Sequence, residues 1–120
     1  MNTSITKRFT FEAAHSIPHH TGKCRNLHGH SYVLEVTVSG TIQTIGSEEG
    51  MIMDFARISQ VVHAEVIDQW DHQFLNDILP FSTTAELLAR EIFTRLTVAG
   101  LPVSHIRLYE TAKCWVDITN

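Results

Sequence analysis

Only two cysteines, Cys24 and Cys114, occur in 120 residues. That is not the composition of a disulfide framework, and the amino-terminal MNTSITKRFTFEAA has no apolar core of signal-peptide length. A cytosolic, reducing setting is therefore the expectation, with both cysteines read as thiols. No apolar run approaches a membrane span. Glycine and proline are scarce, at six and three residues. There is no internal repeat, no low-complexity linker and no glycine-rich phosphate loop. Positive charge is also short: nine Lys and Arg against thirteen Asp and Glu give a formal net charge of −4. That balance argues against a nucleic-acid or anionic-membrane surface. The length predicts a single domain over residues 1–120, with a core small enough that association between chains is expected.

Histidine, by contrast, is plentiful. There are eight, and five of them (15, 19, 20, 28 and 30) fall within sixteen residues. Ile5, Lys7, Phe9, Phe11 and Ala13 alternate with Thr6, Arg8, Thr10 and Glu12, which predicts a half-buried strand over 5–13 whose apolar parity His15 continues. A second strand is expected from about 28 to 42, with His28, His30, Tyr32, Leu34, Val36 and Val38 on one face. Gly46-Ser47-Glu48-Glu49-Gly50 reads as a turn, so 30–45 and 51–54 are expected to form a hairpin. Asp54 then looks like an N-cap for a helix lined by Phe55, Ile58, Val61, Val62, Val66 and Trp70 and ending near Asp71-His72. Thr83 and Glu86 have capping-box spacing for a second helix lined by Leu87, Leu88, Ile92, Phe93 and Leu96, which Gly100 and Pro102 close. Strands at about 104–110 and 113–119 complete the order ββααββ. The expected class is α+β with an antiparallel sheet.

The chemistry concentrates in Cys24-Arg25-Asn26-Leu27-His28-Gly29-His30. Residues two apart on a strand share a face at a separation of roughly 6.6 Å, so His28 and His30 can converge on one metal. His15, at the end of the neighbouring strand, can supply a third nitrogen. Three histidines leave a tetrahedral position open, as catalytic zinc sites do. Against this, an HxH pair is common without a metal. Cys24 has three open readings: a fourth ligand, a buried structural thiol, or a reactive thiol favoured as thiolate by Lys23 and Arg25. Asp71-His72 reads either as ordinary surface at a helix C-terminus or as a carboxylate-oriented imidazole that relays a proton. Glu110 is either solvated or an anchor for a ligand with adjacent N–H donors. His19 and His20 follow Pro18 in a loop, and Cys114, His63 and His105 carry no motif.

Taken together, FTFEAAH (9–15), Cys24 with HGH (28–30), GMIMDF (50–55), Asp71-His72 with FLND (74–77), TTAELLA (83–89) and LYET (108–111) resemble the 6-pyruvoyl-tetrahydropterin synthase family. The resemblance implies a T-fold, with a four-stranded antiparallel sheet, two helices on one face, and assembly into a homo-oligomer, a hexamer or a tetramer. It implies zinc on His15, His28 and His30, a catalytic Cys24 with Asp71 and His72, and Glu110 as the pterin anchor, in sites at subunit interfaces. The implied substrate is 7,8-dihydroneopterin triphosphate. The three-residue spacer Arg25-Asn26-Leu27 is similar to that of the carboxy-forming branch in the queuosine pathway. That branch makes 6-carboxy-5,6,7,8-tetrahydropterin, and the pyruvoyl-forming reaction on the same substrate is the alternative. Phe81-Ser82 departs from the Asn-Pro that many relatives carry. A non-enzymatic reading also stands: a metal-stabilised module whose four-ligand site includes Cys24.

Overall fold

The computed structural model describes all 120 residues. The alternating stretches become two long antiparallel strands, β1 (Thr3–His15) and β2 (His28–Gly40), paired from Thr3↔Gly40 to His15↔His28. β4 (Val103–Thr111) pairs antiparallel with β2, and β5 (Cys114–Thr119) with β4. The sheet has five strands rather than the expected four. The extra one, β3, is only Gln73–Phe74, running parallel to β1 at Ala13 and Ala14 on the outer edge. Two residues are too few for a periodic pattern to reveal, and tertiary pairing alone creates this strand.

The even-numbered side of β2 and β4 and the odd-numbered side of β1 face the helices. Phe9, Phe11, Ala13, Tyr32, Leu34, Val36, Val38, Ile106 and Leu108 are buried there. Each fully buried aliphatic or aromatic side chain contributes about 1.5–3 kcal/mol, so this face supplies much of the driving force for folding. The opposite face is polar and is laced by Thr6–Thr37, Arg8–Glu35 and Arg107–Asp117 contacts.

Asp54 caps helix α1 (Phe55–Val62), accepting from the Ala56 N–H at 2.8 Å. The helix widens into a π turn at His63–Ile67 and returns to α geometry in α2 (Asp68–Trp70). The extra residue in the π turn lets Val66, Ile67 and Trp70 all turn inward, so the buried stripe is broader than a regular 3.6-residue period gives. A short α3 (Leu75–Ile78) precedes α4 (Ala85–Val98), which buries Leu88, Ala89, Ile92 and Leu96. The cap of α4 is Thr84, whose hydroxyl accepts from the Leu87 N–H at 3.3 Å, one residue later than the spacing of Thr83 and Glu86 suggested. No helix is long and apolar enough to cross a membrane.

Residues 51–54 do not form a strand, contrary to the hairpin expectation. Instead Glu48 gathers this loop, accepting from the Asp54 N–H at 2.6 Å, from Gln43 Nε2 at 3.4 Å and from the Arg57 guanidinium. Only Gln43 keeps backbone cross-bonds, to Gly50 and Met51, and side-chain bonds hold the rest of the loop. The Asp54 N–H bond above all holds the Glu48 carboxyl below the usual carboxylate range. Its folded value lies below its unfolded one, so its contribution is complete above about pH 4.3 and is lost as pH falls through the folded value. Urea titrations should therefore give a midpoint that drops below about pH 4.3. Glu48→Gln should lower the midpoint at pH 7 and soften that acid decline. A decline of unchanged steepness would assign the acid sensitivity to the other bonded carboxylates, Asp71 and Asp117.

Candidate metal centre and active site

The β1–β2 register sets His15 opposite His28 and Ala13 opposite His30, so the three imidazoles meet on the helix-facing side at one end of the sheet. One ligand nitrogen from each lies within 4.8 Å of the others. The Nδ1 of His15 is 2.7 Å from the Thr83 carbonyl, and that of His28 is 2.7 Å from the Asn26 carbonyl. A carbonyl only accepts, so both Nδ1 atoms carry the proton and both Nε2 atoms carry the lone pair. The Nε2 atoms of His15 and His30 are buried without a hydrogen-bond partner. Such an orphan costs about 1–3 kcal/mol, and a cation would satisfy both at once. Burial holds the His15 and His30 imidazoles below the ordinary histidine range, which keeps them neutral and ready to ligate. The donor set, the lone-pair orientation and the orphaned nitrogens all fit a metal ion.

His15 is fixed by residues that sequence reasoning missed. Thr83 is fully buried and supplies the carbonyl that receives the His15 proton. Asn76 grips the backbone of Ser16 from both sides, its Oδ1 accepting from the Ser16 N–H at 2.9 Å and its Nδ2 donating to the Ser16 carbonyl at 2.8 Å. The Thr83 hydroxyl donates to Asn76 Oδ1 at 3.3 Å. Asn76 thus continues the hydrogen bonding of β1 past its last residue and ties the histidine to the entrance of α4. Asn76 is a half-buried side chain in the short helix α3, two residues beyond β3, where no sequence period marks it.

Asp71 and His72 do come together. Asp71 Oδ1 accepts from the Glu12 N–H at 2.8 Å, while the His72 N–H donates to the Glu12 carbonyl. Asp71 Oδ2 lies 3.0 Å from His72 Nδ1. The bond from the Glu12 N–H, more than the neighbouring imidazole, holds the Asp71 carboxyl below the usual range. His72 has φ +61°, a left-handed conformation that few side chains other than Asn, Asp and His adopt readily. Its ring is mostly exposed and lines an open cleft of about 460 Å³ with Glu12, Gly29, His30 and Ser31. A second cleft, of about 560 Å³, lies beside it between Arg8, Ser31, Tyr109 and Glu110 and shares His30. Glu110 reaches within 3.8 Å of the Nε2 atoms of both His15 and His30. Cys24 sits apart on a single 3-10 turn, Lys23–Arg25, tied to the loop by its carbonyl, which accepts from the Ile17 N–H at 2.8 Å. It is partly buried and unpaired with Cys114, and it lines neither cleft.

This constellation lies on a chain whose residues 4–120 match the family model for 6-pyruvoyl tetrahydropterin synthase. The chain belongs to that family. Among its relatives in the 6-pyruvoyl tetrahydropterin synthase family, a Synechocystis protein named 6-carboxy-5,6,7,8-tetrahydropterin synthase is 47% identical over 110 residues, covering 89% of this chain and 85% of the relative. A Haemophilus influenzae protein of the same name is 38% identical, covering 89% and 92%. The fold of 6-pyruvoyl tetrahydropterin synthase from Caenorhabditis elegans superposes with a TM-score of 0.88 at 24% identity, covering all of this chain and 96% of that one. The T-fold expected from the motifs is therefore the observed one, with β3 added at its edge.

If Asn76 holds His15 in ligating geometry, Asn76→Ala should weaken metal affinity by about 10–100-fold in competition with a chelator. The metal-free protein should lose about 1–3 kcal/mol of stability in urea. Unchanged affinity would reduce Asn76 to a loop staple.

Proposed function

We propose that this protein is a zinc-dependent lyase. It converts 7,8-dihydroneopterin triphosphate to 6-carboxy-5,6,7,8-tetrahydropterin, releasing acetaldehyde and triphosphate, in the queuosine pathway. One observation carries the reading: a convergent trio of imidazoles, two of which have buried Nε2 atoms without a partner. It lies in a chain whose relatives, at up to 47% identity over most of its length, bear that enzyme's name. The pyruvoyl-forming alternative is named for solved structures at 24% identity and below, a level that speaks to the fold alone.

His15, His28 and His30 hold the zinc. When bound, zinc supplies Lewis acidity that stabilises negative charge developing on substrate oxygens. Every other task falls to side chains. Cys24, between Lys23 and Arg25, takes a proton from a substrate side-chain carbon. Asp71 engages Nδ1 of His72 and so fixes the ring, leaving Nε2 free to receive and return a proton. Glu110 accepts from the paired N–H donors on the pterin edge and keeps the reacting side chain near the metal. Lys23, Arg25 and Lys113 offset the chain's net negative charge where the triphosphate lies.

The working form is a cytosolic homo-oligomer, a hexamer or a tetramer, of one-domain chains. Cys24 and His72 do not share a cleft within one chain, which supports a site assembled across a subunit interface. Mixing inactive Cys24→Ala and His72→Ala subunits should then restore up to about a quarter of wild-type activity, the fraction of interfaces that receive both native residues. No recovery would place both groups in one subunit's site.

Mass spectrometry of products from 7,8-dihydroneopterin triphosphate and zinc-loaded protein tests the reaction directly. The expected outcome is 6-carboxy-5,6,7,8-tetrahydropterin with an equivalent of acetaldehyde. A pyruvoyl product without acetaldehyde would select the alternative. Cys24→Ala should keep its zinc and lose about 10²-fold or more in turnover. Full turnover with zinc bound would remove the thiol from the chemistry.

A further inference from the structure

The position of Glu110 is not explained by substrate anchoring alone. Its carboxylate points at the metal cluster: Oε2 lies 3.8 Å from His15 Nε2 and Oε1 lies 3.8 Å from His30 Nε2. That is too long for a hydrogen bond. It is close to the separation of neighbouring ligands around a tetrahedral ion, roughly 3.3–3.5 Å for donors at about 2.0–2.2 Å from the metal. With Nδ1 of His15 committed to Thr83, the Nε2 of His15 presents a lone pair toward the carboxylate oxygen, with no proton between them. Lone pairs that converge in a largely buried corner repel one another unless a cation sits among them.

The backbone makes the same point. The β4–β5 register pairs Tyr109 with Trp115 and then Thr111 with Cys114, so Glu110 is the extra residue of a bulge. Glu110 continues the even-numbered, helix-facing parity of Ile106 and Leu108, and so lies on the histidine side of the sheet where the bulge interrupts the ladder. The carboxylate is about three-quarters buried, with no Lys or Arg among its ion-pair partners. Its only cationic complement in the fold is whatever the histidines bind.

We infer that Glu110 is a fourth, displaceable ligand of the metal held by His15, His28 and His30, closing the site before substrate arrives. Its release rests on the proposed function: the paired N–H donors of the pterin ring compete for the carboxylate and draw it from the metal. The coordination position then opens only when the ring is seated. A single side chain thereby couples recognition of the ring to exposure of the metal, and excludes adventitious anions from an otherwise open site.

Cobalt(II) reports ligand number and type through its visible spectrum, independently of turnover. In substrate-free protein, Glu110→Gln should change the cobalt bands and weaken zinc by at least about tenfold in chelator competition. Glu110→Ala should do the same, which guards against an amide oxygen substituting for the carboxylate. Unsubstituted pterin, which carries the ring without side-chain hydroxyls, should move the wild-type spectrum toward that of Glu110→Gln. Identical spectra and affinities for wild type and both variants would overturn the ligation. Pterin binding, followed by its fluorescence, with an unaltered cobalt spectrum would overturn the displacement. Should the zinc protein fail to turn over dihydroneopterin triphosphate while its cobalt spectrum still depends on Glu110, the proposed reaction fails and the ligation stands.

Discussion

The site depends first on the register of β1 against β2. His15, His28 and His30 converge only because His15 sits opposite His28 and Ala13 opposite His30. A slip of one residue would turn one strand's histidines to the polar face and expose Phe9 and Phe11. The core therefore enforces the histidine cluster: stacking of Phe11 on Tyr32, with ring centroids 4.9 Å apart, locks the pairing that also gathers the imidazoles. Stability and function use the same alternation, and the histidines simply continue the apolar face past the point where the core ends.

Around that frame, the polar groups of the site are held by backbone atoms rather than by other side chains. Thr83 offers a carbonyl to His15, Asn26 offers one to His28, and Asp71 takes the Glu12 N–H. Backbone partners cannot swing away, so the tautomers of two ligands and the orientation of the carboxylate are set when the chain folds. The edge strand β3 belongs to the same arrangement. Its two residues follow directly after His72 and pin the Asp71-His72 pair to β1.

Charge is arranged by locality rather than by total. The chain is net negative, yet Lys23 and Arg25 flank Cys24, and Glu110 stands beside the histidines without a Lys or Arg partner. A net negative chain thus keeps its few positive groups beside the candidate reactive thiol and leaves the histidine corner free of them.

The ladders, helices and histidine trio were readable in the sequence because each rests on local periodicity: alternation for Phe9 to His15 and His28 to Val38, and a capped helical stripe from Asp54. The family motifs added the T-fold, which the fold comparison bears out. What the sequence could not carry was set by contacts between distant segments. The two-residue β3 exists only because β1 offers an edge, and the π turn at 63–67 only because the core accepts Ile67. Residues 51–54 stay a loop whose backbone is held by Gln43 and Glu48. Asn76 and Thr83 reach the end of β1 through long-range packing, which no spacing along the chain encodes. Sequence alone determined which residues can ligate and which face they share, since side-chain parity is a property of the strand itself. Tertiary structure decided which nitrogen faces inward and which carboxylate faces it, because hydrogen bonds between segments remote in sequence set those orientations.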